Sequence, residues 1–154
     1  MSTYYLDSSA LSKRYVQEMG TEWIRSLTSP DADHLLLTAR ITMVEFYSAL
    51  ARRHREGTVP TADYATVIQA FTAHSATEYE YVELDLKVVF LARDLLERYP
   101  LRAYDAVQLA SSLVANRALV ASNLPPLTFV SADERLNAAA AAEDLAIENP
   151  NQYY

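Results

Sequence analysis

Short apolar runs of strand length alternate with longer helical segments along this chain, and that alternation constrains the fold more than any other feature. The apolar runs lie at residues 3–6, 34–38, 81–84, 128–130 and 145–148. Helices are predicted over 9–19, 22–27, 42–56, 62–77, 86–99, 103–120 and 132–143. Parallel strands are buried on both faces and need helical crossovers. The pattern therefore predicts an α/β fold of three layers, with a short, mostly parallel central sheet flanked by helices.

The chain is of single-domain size. It has 154 residues, 51% of them hydrophobic, which supports one substantial core. We expect one domain over 1–148 and a C-terminal tail over 149–154 that frays or packs lightly. No apolar stretch reaches the ~18 residues of a membrane span, and the start of the chain lacks the pattern of a secretory signal. The expected location is the cytoplasm, without membrane association.

Two residue types are scarce enough to exclude whole classes of site. The chain has no cysteine, which rules out disulfides and thiolate metal sites. Its two glycines, Gly20 and Gly57, each follow a helical pattern and are predicted to be left-handed helix caps. Neither belongs to a glycine-rich phosphate loop, so the commonest nucleotide-binding motifs are absent.

The formal charge of −7 opposes binding to nucleic acid at long range. Action on nucleic acid would require bound cations or local basic patches. Two basic runs are candidates, Lys13-Arg14 and Arg52-Arg53-His54-Arg55, although a solvated helix face explains either run equally well.

Four acids occur where helices begin or strands end. Asp7 directly follows the first strand, and Asp133 lies shortly after the TFV strand. Glu45 and Asp105 lie near the starts of their helices. Each has a purely structural explanation, because carboxylates cap helices and favour first turns, and Thr42 with Glu45 matches a capping box.

Together the four acids favour a metal site. Ligands of an open parallel sheet bind beyond the carboxyl ends of its strands, where these acids are expected to meet. Carboxylates gathered there would repel one another unless a cation neutralised them. Oxygen ligands suit Mg²⁺ or Mn²⁺, and such ions can activate water for attack on a phosphodiester.

Four phrases of the sequence, taken in order, resemble the PIN-domain nucleases, and specifically the VapC-type toxins of type II toxin–antitoxin modules. The phrases are YYLDSSALSKRYVQE, ITMVEFYSAL, LRAYDAVQLASS and TFVSADERLNAAA, and they span nearly the whole chain. Carried over residue by residue, Asp7, Glu45, Asp105 and Asp133 fall on the acidic positions of that family. Ser8 and Ser131 match its hydroxyl companions.

The resemblance implies a magnesium- or manganese-dependent endoribonuclease acting as a toxin. It implies that Asp7, Glu45, Asp105 and Asp133 hold the metal and perform catalysis. It also implies a small cognate antitoxin, a toxin homodimer, and contact with DNA only through the antitoxin. Lys13 and Arg14 are candidates for phosphate groups of the RNA, with Ser8 and Ser131 near the substrate.

Other functions stay open at this stage. The first alternative is a catalytically weak binding module of the same fold that acts through its antitoxin. A phosphatase on a related sheet is disfavoured, because its D-x-D pair would need an acid where Ser9 stands. A metal-free ribonuclease is disfavoured because His34, His54 and His74 show no pairing in the sequence.

Overall fold

Five strands form one parallel sheet in a computed structural model that describes residues 1–154. The strands are β1 (Thr3–Leu6), β2 (Leu35–Ala39), β3 (Glu80–Val82), β4 (Thr128–Val130) and β5 (Ala146–Glu148), in the spatial order β3-β2-β1-β4-β5. Every adjacent pair is parallel. The predicted fold class is confirmed, and the predicted strands are correct to within two residues at each end.

Seven α-helices surround the sheet. They are α1 (Ser8–Leu11), α2 (Thr21–Thr28), α3 (Arg40–Arg55), α4 (Thr61–Thr77), α5 (Leu86–Arg98), α6 (Ala103–Ala121) and α7 (Glu134–Ala142). Short 3-10 helices occupy Ser12–Arg14, Pro30–Ala32 and Pro150–Gln152. None of the helices is both long and apolar enough to cross a membrane.

Two hydrophobic cores cover the two faces of the sheet. On one face, Tyr5, Leu37 and Phe129 pack with apolar residues of α5, α6 and α7. On the other face, Leu36 and Val130 pack with residues of α1 to α4. Successive strand residues point to opposite faces, so short, mostly apolar strands supply both cores at once.

The order of the strands creates a crevice between β1 and β4. The helix after β1 belongs to one face of the sheet, and the helix after β4 belongs to the other. The loops that leave these neighbouring strands therefore diverge at their carboxyl ends. Open α/β sheets bind ligands at such a switch point.

The helix predicted over residues 9–19 is wrong in extent. The α-helix ends at Leu11, a 3-10 turn follows over Ser12–Arg14, and a non-helical segment leads to Gly20. Local periodicity favoured a longer helix. The tighter turn instead carries Arg14 toward Tyr79 and Tyr15 toward Phe71, contacts that no local pattern encodes.

The predicted capping box at Thr42 is also wrong. Helix α3 begins at Arg40, directly after β2, so Thr42 lies inside the first turn with no exposed surface. Its hydroxyl lies 2.9 Å from that of Thr38 and accepts a hydrogen bond from Gln108. Tertiary contacts have replaced the local cap.

The C-terminal tail is more ordered than predicted. Tyr153 stacks on Trp23 of α2, with ring centroids 4.3 Å apart and planes at 2°. Gly20 makes a close approach to the same segment, because a Cβ there would lie 2.2 Å from the carbonyl oxygen of Pro150. Gly20 also has a φ of +83°, so both the close contact and the backbone conformation require glycine at this position. The tail is therefore packed against α2.

Candidate functional site

Asp7 lies at the end of β1 and is almost completely buried, with 3% of its surface exposed. Its Oδ1 accepts hydrogen bonds from Ser9 Oγ at 2.7 Å and from the Ala10 amide at 2.9 Å. Its Oδ2 accepts one from Ser131 Oγ at 2.6 Å. Asp7 therefore caps α1, as the structural explanation expected, and is also tied to the segment that follows β4.

The segment after β4 is bound to the β1 end by two serines. Ser131 Oγ accepts a hydrogen bond from the Asp133 amide at 3.0 Å, and Ser9 Oγ accepts one from the Ala132 amide at 2.9 Å. The Asp133 carboxylate caps α7 by accepting hydrogen bonds from the Arg135 and Leu136 amides. The structure therefore brings Asp7, Ser131 and Asp133 to one edge of the sheet.

Glu45 reaches the same edge from the second turn of α3. Ser8 Oγ donates to Glu45 Oε2 at 3.0 Å, and Gln108 Nε2 donates to Glu45 Oε1 at 2.7 Å. Asp105 lies in the first turn of α6, one turn before Gln108, and its side chain is partly exposed. The predicted companion Ser8 therefore contacts Glu45.

The four carboxylates form a chain of mutual repulsion, and we call this group the acidic edge: Asp7, Glu45, Asp105 and Asp133. Burial raises the pKa of Asp7 to about 6, with hydrogen bonds from Ser131 and Ser9 opposing the rise and the charge of Glu45 adding to it. The pKa of Glu45 is raised by burial and then by the charge of Asp105. The pKa of Asp105 is raised by burial and then by the charge of Asp133.

No basic side chain forms an ion pair with the acidic edge, although the charges of Arg102 and Arg135 partly oppose the rise in the pKa of Asp105. Lys, Arg and His nitrogens all lie more than 4.0 Å from the four carboxylates. Elsewhere Glu18, Glu78, Glu83 and Glu143 are each paired with an arginine. Unpaired, partly buried carboxylates are costly unless a cation joins them, so the donor set fits a hard divalent ion in type and in charge.

The side chains do not converge on a single point. No group of three or more acidic or histidine side chains lies close enough together to hold one ion. Each carboxylate except Asp105 is instead turned to a hydroxyl, an amide or a helix start. Mg²⁺ usually keeps several waters and takes only one or two carboxylates directly, so the arrangement fits an ion with a largely aqueous shell.

A groove of about 510 Å³ opens beside the acidic edge. Ser8, Ser9 and Glu45 line it, with Glu45 the one acid of the four that does so. Its polar walls also include Arg52, Arg53, Arg102 and Tyr104, and apolar residues of α3 complete it. The basic residues of the C-terminal part of α3 thus share a groove with a member of the acidic edge.

Lys13 and Arg14 do not line this groove, so it gives no support to the prediction that they meet the substrate. Lys13 is 5% exposed and pairs with Glu18 at 3.5 Å. Arg14 points to the other side of the 3-10 turn, toward α4. The charge pattern identified basic residues but not their partners, which come from distant parts of the chain.

Arg14 belongs to a second polar group, which we call the paired cluster: Arg14, Tyr15, His74, Glu78 and Tyr79. Arg14 Nη2 lies 2.7 Å from Glu78 Oε2, in a close ion pair rather than an aligned hydrogen bond. Arg14 Nη1 donates to Tyr79 Oη at 2.7 Å. The Tyr15 hydroxyl contacts both Tyr79 Oη at 2.7 Å and His74 Nδ1 at 2.9 Å.

Sequence reasoning missed Ser9, Gln108 and Arg102. Ser9 is the second hydroxyl of the DSS motif, and its position beside Asp7 was a usable signal. Gln108 follows Asp105 by one helical turn and so lies on the same face of α6, which was a second signal. Arg102 has no local pattern that singles it out.

Comparison with known proteins places this arrangement in a family. The PIN domain family model matches residues 4–142, which is most of the chain and includes all four acids. Among curated proteins, no sequence matches this chain at a significant level.

Several solved structures share the fold at low sequence identity. FitAcB from Neisseria gonorrhoeae has a TM-score of 0.65 and 16% identity, over 96% of this chain and 97% of that chain. VapBC2 from Rickettsia felis, bound to a DNA fragment from its promoter, has a TM-score of 0.61 and 12% identity, over 96% and 98%. VapC20 from Mycobacterium tuberculosis, a toxin that cleaves the sarcin–ricin loop, has a TM-score of 0.60 and 13% identity, over 88% and 94%.

Proposed function

The chain belongs to the PIN domain family, and from that premise we propose that it is a metal-dependent endoribonuclease acting as the toxin of a toxin–antitoxin pair. The observation that carries the proposal is the acidic edge itself, four carboxylates without ion-pair partners at the switch point between β1 and β4. Similarity to VapC20, described as an RNA-cleaving toxin, supports RNA as the substrate class.

The residues of the acidic edge would hold Mg²⁺ or Mn²⁺. When bound, such an ion supplies a water of lowered pKa and stabilises charge on the phosphodiester oxygens. Asp7, Glu45, Asp105 and Asp133 would hold the ion, partly through its bound waters, while Ser9 and Ser131 fix the rotamer of Asp7. Water, rather than the ribose 2′-hydroxyl, would be the nucleophile. The expected products therefore carry a 5′-phosphate and a 3′-hydroxyl.

The groove beside the acidic edge would take the RNA strand. Arg52 and Arg102 line it and have positions to meet backbone phosphates, which would orient the strand without reading its sequence. Arg53 also lines the groove but is paired with Glu18 at 3.3 Å. Tyr104 is 57% exposed next to Asp105, where its ring can stack on an unpaired base. A chain of net charge −7 would thus attract RNA locally, and the reaction would take place in the cytoplasm.

Partners form part of the proposal. A small antitoxin would silence the groove, and it would supply the contacts with DNA, since this chain is acidic overall. The structure of VapBC2 from Rickettsia felis, a structural neighbour, contains a promoter DNA fragment, which supports a role for the toxin–antitoxin complex in DNA binding.

The outward face of α5 supports a homodimer. Four apolar residues are exposed along it: Leu86 69%, Val89 43%, Phe90 53% and Leu96 42%. The charges around them are balanced, with Lys87 and Arg93 against Asp94 and Glu97, so a second copy of the same face meets complementary charge. Phe90→Glu should convert a dimer to a monomer by light scattering, whereas Val120→Glu, also at a residue 53% exposed, should not.

The first test is titration of Mn²⁺ into the protein by calorimetry. Wild type should bind, and Asp105→Asn should lose most of the affinity. Asp63→Asn is the matched control. Asp63 is likewise the third residue of its helix, but it is exposed and does not belong to the acidic edge. Equal binding by wild type and Asp105→Asn would reject a metal site made by the acidic edge.

Cleavage is tested separately. Asp7→Asn should abolish manganese-dependent cleavage of a single-stranded RNA pool, and full activity in that variant would reject the assignment. A catalytically weak binding module is the second candidate, favoured by the failure of three carboxylates to converge. Expression without the antitoxin separates the two, because growth arrest requires an active site.

A further inference from the structure

A buried hydrogen-bond chain leads from the sheet to Glu45. The Tyr5 hydroxyl donates to Gln108 Oε1 at 2.7 Å. Gln108 Nε2 donates to Thr42 Oγ1 at 2.8 Å and to Glu45 Oε1 at 2.7 Å. Tyr5, Gln108 and Thr42 are 0%, 1% and 0% exposed, so water does not compete for these groups.

The carboxylate of Glu45 decides the orientation of the Gln108 amide. An ionised carboxylate only accepts hydrogen bonds, so the NH₂ group must face Glu45 and the carbonyl oxygen must face Tyr5. The opposite orientation would set two acceptors against each other. Ser8 Oγ holds the other carboxylate oxygen, Oε2, at 3.0 Å, so Glu45 is held from both sides.

Packing alone does not explain a glutamine at position 108. Its neighbours in α6, Leu109 and Ala110, are buried apolar residues of the core. A leucine would fill similar space, but it would leave the buried Tyr5 hydroxyl without its acceptor and Glu45 without its amide donor, so the hydrogen bonds account for the glutamine. The amide has one property that an arginine or lysine lacks: it fixes Glu45 without cancelling its negative charge.

We propose that Gln108 is a positioning residue, held by Tyr5, that keeps the Glu45 carboxylate oriented and uncompensated for a divalent cation at the acidic edge. This inference rests on the proposed metal-dependent function. It assigns Gln108 no contact with substrate, because the residue is buried behind Glu45 and acts through it.

The experiment measures Mn²⁺ affinity by calorimetry for wild type, Gln108→Leu, Glu45→Gln and the double variant. Loss of a residue that orients a metal ligand typically weakens binding about 10-fold to 100-fold. We expect a loss in that range for Gln108→Leu and no further loss when Gln108→Leu is added to Glu45→Gln. That coupling separates positioning from general destabilisation.

Two further variants keep the test decisive. Asn116→Leu removes another amide of α6, whose Oδ1 accepts from the Leu127 amide, and should lower the melting temperature without changing Mn²⁺ affinity. Tyr5→Phe deletes one hydroxyl and should weaken binding several-fold, which provides a readout if Gln108→Leu fails to fold.

The outcomes are distinct. If Gln108→Leu binds Mn²⁺ as tightly as wild type, the inference is overturned while the metal site stands. If Gln108→Leu is unfolded, unchanged Mn²⁺ affinity in Tyr5→Phe has the same meaning. An equal loss in the wild-type and Glu45→Gln backgrounds also overturns it. Absence of binding by wild type instead removes the metal from the proposed function, and the inference falls with it.

Discussion

The acidic edge and the paired cluster each take a charged residue from the same short stretch of chain, yet they balance charge in opposite ways. Asp7 ends β1, and Arg14 lies seven residues later in the sequence. At the acidic edge, hydroxyls and amides hold the carboxylates, and no cation is within 4.0 Å. In the paired cluster, Glu78 meets Arg14 at 2.7 Å and the remaining partners are tyrosines and a histidine.

In the paired cluster, charges are neutralised within the protein, which favours folding stability. At the acidic edge, negative charge is retained, which favours binding of a cation. An ion pair with neutral hydrogen-bond partners can be complete within the protein. Carboxylates held only by neutral donors stay negative and ready for a cation, at a cost in stability. We therefore expect mutations to lower stability in the paired cluster and to raise it at the acidic edge.

The largest effect is expected for Arg14→Met. The Arg14 side chain is 11% exposed and that of Glu78 is 25% exposed, so removal of Arg14 leaves Glu78 with a largely buried charge that has lost its arginine partner. Tyr79 loses the Arg14 donor and keeps only the hydroxyl of Tyr15. Breaking a buried pair in this way costs about 3 kcal/mol of unfolding free energy. Urea unfolding measures it, and Mn²⁺ affinity should stay unchanged.

The control for Arg14 is Arg40→Met. Arg40 and Glu83 lie 2.6 Å apart, but their side chains are 47% and 62% exposed. Exposed pairs contribute about 0–1 kcal/mol. A loss at Arg40 as large as that at Arg14 would contradict the role given to burial.

The next effect has the opposite sign, because Asp7→Asn should stabilise the metal-free protein. Burial raises the pKa of Asp7 to about 6, which means that the folded state disfavours the ionised form at neutral pH. A neutral isostere removes a penalty of about 3 kcal/mol, and the net gain is smaller by whatever the altered contact with Ser131 costs. Thermal or urea unfolding in the presence of a chelator at pH 7.5 measures the gain.

The pH dependence of the stability gained by Asp7→Asn is a sharper test of the raised pKa. Below about pH 4 the carboxyl is neutral in both states and wild type and variant should be equally stable. Between about pH 4 and about 6 the unfolded state ionises first, so wild type loses stability relative to Asp7→Asn. Above about pH 6 the difference should be constant, and a difference that is independent of pH would contradict the assignment.

The smallest effect is expected for His74→Gln. Burial, and then the charge of Arg14, lower the pKa of His74, while Glu78 opposes the shift. A lowered histidine pKa contributes stability above the unfolded pKa of about 6.5 that is lost as the pH falls. His74→Gln should flatten the unfolding free energy below pH 6.5, by less than the change at Asp7, because the imidazole is 30% exposed. An unchanged slope would contradict the lowered pKa, because it would mean that His74 binds protons equally in the folded and unfolded states.

Local pattern predicted the sheet well and the loops between its elements poorly. The strands were found because short, mostly apolar runs between helical patterns are typical of buried parallel strands. The helix over 9–19 and the cap at Thr42 were wrong, because each was judged by local propensity while tertiary partners decided the backbone. The tail was expected to fray, yet Trp23 provides a stacking surface for Tyr153.

The sequence by itself determined the order of strands and helices, and it placed four acids at helix starts and strand ends. Only the tertiary structure decided which charges are paired. Ser131 reaches Asp7 across 124 positions of sequence and Tyr5 reaches Gln108 across 103, whereas Lys13 and Arg14 turn away to Glu18 and Glu78. Periodicity records which face of an element is buried, but the identity of a polar partner depends on contacts that form only when the sheet assembles.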